Sequence, residues 1–151
     1  MILTIPLHVL GAVIWVGGMF FAYMALRPAA AQMLEPPLRL MLWVGVFNRF
    51  FPWVWVAIAI LLLTGFWMVF AVMGGMGGVG LHVHLMLTLG IAMMLIFAHL
   101  YFAPFKRLKL AVQNEDWPEG GKRLVQIRRT VGLNLCLGIL TVVVATAGHY
   151  I

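Results

Sequence analysis

The chain has 151 residues, of which 64% are hydrophobic and only 9% charged, with a mean hydropathy of +1.06. Soluble domains carry about 25% charged residues, so this composition excludes a water-solvated globule and requires lipid as the solvent. The net charge of +6 would suggest nucleic acid in a soluble protein. Here topology accounts for it, and no nucleic-acid partner is expected.

Four apolar segments reach the length of about 20 residues that crosses a bilayer. They predict an all-α, integral membrane four-helix bundle, with residues 1–151 as a single transmembrane domain. Cys136 is the only cysteine, which excludes an intrachain disulfide and a multi-cysteine metal site. It reads as a small apolar packing residue.

The first helix is expected over about 2–26, ended by Arg27-Pro28. It lacks a basic n-region and its apolar run is too long for an h-region, so it reads as a retained helix. At about 100° per residue, His8, Gly11, Trp15, Gly18 and Ala22 share one face. Small residues on one stripe let a neighbouring backbone or a flat ligand come close.

A short interfacial link with Glu35 and Pro36-Pro37 leads into a helix over about 38–73, whose span begins near Phe51. Pro52 is expected to bend it. Phe51, Trp53 and Trp55 are expected to form an interfacial aromatic belt. The uncharged run Met73-Gly74-Gly75-Met76-Gly77-Gly78-Val79-Gly80 reads as a tight turn.

The third helix is expected over about 81–103, stopped by Pro104. It opens with Leu81-His82-Val83-His84-Leu85, two imidazoles at the mouth of an apolar segment, where polar groups need partners. His84, Thr88, Leu95 and His99 share one side, which we take as facing the bundle. Leu85, Met86, Leu89 and Met93, on the His82 side, are taken as facing lipid. His99 is expected to bond across the bundle, with Asn134 or Tyr101 as partner. A polar loop over 105–126 follows, with Trp117-Pro118 and Gly120-Gly121 as turns. The fourth helix is expected over about 127–151, with Asn134, Gly138, Thr141, Ala145 and Gly148 on one face and His149 close to it.

In an up-down-up-down arrangement all ten Lys and Arg residues fall at one end of the bundle. By the positive-inside rule that end is cytoplasmic, and both termini and the glycine turn lie outside, in the periplasm. His8, His84 and His149 then share one outer layer, with His82 nearby. No carboxylate lies within any span, so a carboxylate proton relay is not supported.

Two ligand classes fit these histidines. A b-type haem takes imidazoles from facing helices and needs small residues to admit the macrocycle. His8 and His84 would be its axial ligands, with Gly11, Gly18, Gly90 and Gly138 making room. Copper suits a compact set of imidazole and thioether groups, here His82, His84, His149, Met73 and Met76. A structural or assembly subunit, in which the histidines only bond helices together, is the third reading.

The stretch Leu7-His8-Val9-Leu10-Gly11-Ala12-Val13-Ile14-Trp15-Val16-Gly17-Gly18-Met19 resembles the first-helix signature of CopD-like and HemJ-like membrane proteins. His82-Val83-His84 after the glycine turn, Tyr101-Phe102-Ala103-Pro104, and Asn134-Leu135 with Gly138 extend the likeness. The resemblance implies a small bundle in a bacterial inner membrane. It implies copper handling for the CopD branch. For the HemJ branch it implies haem b and oxidation of protoporphyrinogen, with His8 required and a Lys at the position occupied here by His84. A redox role with a membrane partner, and homo-oligomers, are compatible with it.

Overall fold

The computed structural model describes residues 1–148 and Tyr150. It contains four long helical rods: α1 (Thr4–Met33), α2 (Pro36–Val72), α3 (Leu81–Gln113) and α4 (Trp117–Ala147). All four are long and apolar enough to cross a membrane. They are also longer than a crossing requires. At about 1.5 Å per residue, the 37 residues of α2 run about 55 Å, against a hydrocarbon layer of about 30 Å. The surplus falls at the basic end, where the rods continue past the membrane-spanning part.

That surplus corrects the expected boundaries. Arg27-Pro28 does not end α1, and Pro104 does not stop α3. Each proline is carried through by a π turn, Ala22–Leu26 in the first case and Tyr101–Phe105 in the second. Such a turn shifts the backbone bonds by one residue, so that a residue without an N–H can be passed. Arg27 donates to Ala22, five residues back, and the helix resumes with Pro28 in its first turn.

The expected polar loop over 105–126 is also mostly helical. Only Asn114, Glu115 and Asp116 separate α3 from α4. Asp116 caps α4 by accepting from the Glu119 N–H at 3.3 Å, with Trp117-Pro118 as the first helical residues. Gly120 and Gly121 lie inside α4. A Cβ on Gly120 would sit 2.9 Å from Leu40 Cδ1, so glycine there lets α2 and α4 approach closely.

The α1–α2 pair and the α3–α4 pair have the most extensive contacts, and α4 also meets α1 and α2. The core between them is aromatic. Trp15 meets Phe97 edge-on at 6.2 Å, Phe51 packs against Phe97 and Phe105, and Trp55 packs against Phe97 and Tyr101. This corrects the expected belt: Phe51 is 3% exposed and inward, whereas Trp53, two residues on, is 61% exposed. The helical repeat separates them, since residues two apart stand about 200° from one another around the helix. Cys136, expected in packing, is exposed on the outside of α4.

Candidate functional site

His8 lies just over one turn into α1, half-buried against α2. Its Nδ1 is 2.7 Å from Thr64 Oγ1, and the Thr64 hydroxyl is 2.6 Å from the Ile60 carbonyl. The hydroxyl donates to that carbonyl in the usual back-bond of helical threonine, which assigns the proton of the His8–Thr64 bond to Nδ1. Gly65 gives the ring its space, because a Cβ there would stand 3.3 Å from His8 Cε1. The partner of His8 is therefore the neighbouring helix α2.

The inward face of α3 is the reverse of the one expected. Met93 is 3% exposed, with Phe97 and Leu100 on the same buried stripe, whereas Leu95 is 67% exposed and Thr88 and His99 are outside. Both faces are apolar, so the hydroxyl and imidazole groups were the signal for the inside, and they are poor guides. Thr88 satisfies its hydroxyl on the His84 carbonyl of its own helix at 2.9 Å and has no need of the bundle. The buried polar contact across the bundle comes from Asn134, whose Nδ2 donates to the Met93 carbonyl at 3.2 Å. Asn134 thus bonds Met93 and not His99.

Eleven residues are close to three helical turns, so His82 stands on the stripe of Met93. The far side of its ring lies beside Gly80, and the root of its side chain stands against the end of α4, where a Cβ added to Gly148 would lie 3.0 Å from His82 Cγ. His82 is consequently seated between α3 and α4, a correction to its expected place at the lipid side. His84, two residues further, is half-buried on another face. His149 follows Gly148 in sequence and lies outside the described residues.

The turn carrying Met73 and Met76 closes the same end of the bundle. It is tied by Gly75 N–H to the Val69 carbonyl at 2.8 Å and by Gly78 N–H to the Gly75 carbonyl at 3.1 Å. Gly74 and Gly75 have φ of 77° and 93°, a left-handed backbone that glycine adopts freely. Met76 is half-buried and Met73 exposed. Among the described residues no group of three or more His, Cys, Asp or Glu side chains could hold a metal ion.

The glycines expected to admit a macrocycle are mostly occupied by protein. A Cβ on Gly11 would meet Leu61 at 3.3 Å, on Gly18 it would run into the Phe50 ring, and on Gly138 it would meet Val16 at 2.9 Å and Met93 at 3.2 Å. Gly90 has open space beside it. The glycine stripe thus brings α1 against α2 and α4 against both α1 and α3.

A bundle of four helices long and apolar enough to cross a membrane, with no charged side chain in its buried core among the described residues, defines a polytopic membrane protein of the small-bundle class. A family model described as copper resistance protein D matches residues 44–147, more than two thirds of the chain, and the chain belongs to that family. Comparison with curated proteins and with solved structures finds no match.

Proposed function

We propose that the protein takes copper as its cargo at the glycine-turn end of the bundle. His82, His84, Met73, Met76 and His149 supply the donors. The observation that carries this reading is the seat of His82 at the junction of α3 with the end of α4, beside the methionine-bearing turn. Membership in the copper resistance protein D family supports copper as the metal.

Thioether sulfur suits Cu(I), and imidazole suits either oxidation state. A site of neutral donors in an apolar surround leaves the ion's charge uncompensated, so Cu(I) is favoured over Cu(II). The two histidines have different parts. His82, held between two helices, provides the fixed ligand. His84, Met73 and Met76 provide the ligands through which copper arrives or leaves.

Metal analysis of the purified full chain tests the proposal. Bound copper, lowered by Met73→Leu combined with Met76→Leu, is the expected result. Absence of copper after exposure to Cu(I), together with unchanged growth under copper stress when the gene is deleted, refutes it. An absorption spectrum of the same sample tests haem b on His8 and His84. A Soret band abolished by His8→Ala would replace copper with haem as the ligand.

A further inference from the structure

The overlong helices enclose a cavity of about 330 Å³ at the opposite, basic end of the bundle. It lies between the extension of α1 beyond its π turn, the first turns of α2 and the first half of α4. Each of the three helices contributes one arginine to its wall: Arg27, Arg39 and Arg128. Tyr23, Trp43 and Trp117 contribute aromatic surface, and Leu40, Phe47 and Val131 are among its apolar lining. Gly132 admits the Tyr23 ring, because a Cβ there would stand 3.0 Å from it.

The arginines lack carboxylate partners that would neutralise their charge. Among the described residues the one ion pair is Arg123 with Glu119, at 2.6 Å, so no carboxylate neutralises Arg27, Arg39 or Arg128. Arg27 donates Nε to the Tyr23 carbonyl at 3.3 Å and stacks on the Tyr23 ring at 4.3 Å. Arg39 donates through Nη2 to the Ala31 and Leu34 carbonyls at the end of α1, while its Nε is buried without a partner. Arg128 is exposed. Three guanidinium groups around one cavity repel each other and leave donors unused. An oxyanion among them removes both costs, because guanidinium groups bind phosphate through paired, charge-assisted hydrogen bonds.

We propose that this cavity binds a phosphate group carried on an apolar body, the chemistry of an anionic phospholipid. The volume lies within the range of small-molecule sites, about 300–1,000 Å³. Tyrosine and tryptophan mark the depth at which headgroups lie. Basic pockets between membrane helices are suited to anionic headgroups. Leucine, phenylalanine and valine beside the arginines give the acyl chain a wall. The inference is independent of the copper site at the other end.

Native mass spectrometry of the full chain in detergent tests it, with phosphatidylglycerol and phosphatidylcholine of matched acyl chains as probes. Phosphatidylglycerol is expected to stay bound, and Arg128→Gln to weaken it roughly tenfold, the loss of one charge-assisted contact. Lys122→Gln, an exposed basic residue outside the cavity, should leave it unchanged. Because Arg128 is exposed, its variant is expected to keep the wild-type melting temperature. Inorganic phosphate is the second probe. If it binds alone with the same dependence on Arg128, the oxyanion site holds and its ligand is a free phosphate. Equal retention of the two lipids, or a phosphatidylglycerol affinity unaltered by Arg128→Gln, overturns the proposal.

Discussion

The Cβ and Cγ of His82 rest against Gly148, so that the absence of a side chain at Gly148 lets His82, in the first turn of α3, seat against the end of α4. The helical repeat joins this contact to the buried stripe through Met93, whose carbonyl accepts from Asn134. One side of α3 thereby carries both the packing of the bundle and the proposed fixed copper ligand.

Gly148→Val should therefore displace His82. We expect bound copper to fall as far as it does for His82→Ala, with a stability loss of about 1–3 kcal/mol from overpacking. Metal analysis and thermal unfolding in detergent measure the two effects. Full copper binding by the valine variant would detach the ligand from the helix junction.

The His8–Thr64 bond predicts a pairwise energetic signature. Thr64→Val should cost about 0.6–1.7 kcal/mol, the range for hydrogen bonds between membrane helices. His8→Leu should cost a similar amount, and the double variant should cost less than the sum. Unfolding of the four proteins in mixed micelles reads the coupling. Strict additivity would mean that the bond contributes nothing to folding.

Neighbouring glycines in α1 should behave oppositely. Gly18→Ala drives a methyl group into the Phe50 ring, whereas Gly17 has no neighbour within 4 Å. We expect Gly18→Ala to lower stability by about 1–3 kcal/mol. Gly17→Ala should raise it by about 0.5–1 kcal/mol, because alanine is the better helix former. Melting temperatures of the two variants are the measurement.

The number of membrane crossings and the gathering of ten basic residues at one end could be read from the sequence, because both depend on composition along the chain and not on packing. The copper resistance family was legible too: of the motifs that carried the resemblance, His82-Val83-His84, Tyr101–Pro104 and Asn134-Leu135 with Gly138 lie inside the matched residues 44–147, whereas Leu7–Met19 lies before them. The helix ends were not. Pro28 and Pro104 are stop signals on local chemistry, and only a π turn, which depends on neighbouring helices to absorb the shift, carries a rod past them. The orientation of α3 was not legible for a different reason. With Leu95 and Met93 equally apolar, periodicity cannot choose a face, and Thr88 satisfies itself locally. What chooses is the fit of Phe97 among Trp15, Phe51 and Trp55, three residues from two other helices. The arginine-lined cavity was hidden in the same way, since its three arginines are far apart in sequence and meet only because the rods are overlong.

The central claim is that copper binds at the glycine-turn end through His82. Anaerobic competition for Cu(I) between the purified chain and a chromophoric chelator tests it most directly, with wild type, His82→Ala and His99→Ala compared. His99 is exposed on α3 near the basic end and provides the control. His82→Ala is expected to weaken Cu(I) binding at least about tenfold, the loss of one metal ligand worth about 1.4 kcal/mol or more. His99→Ala is expected to bind as the wild type does. Equal affinity of wild type and His82→Ala would contradict the claim.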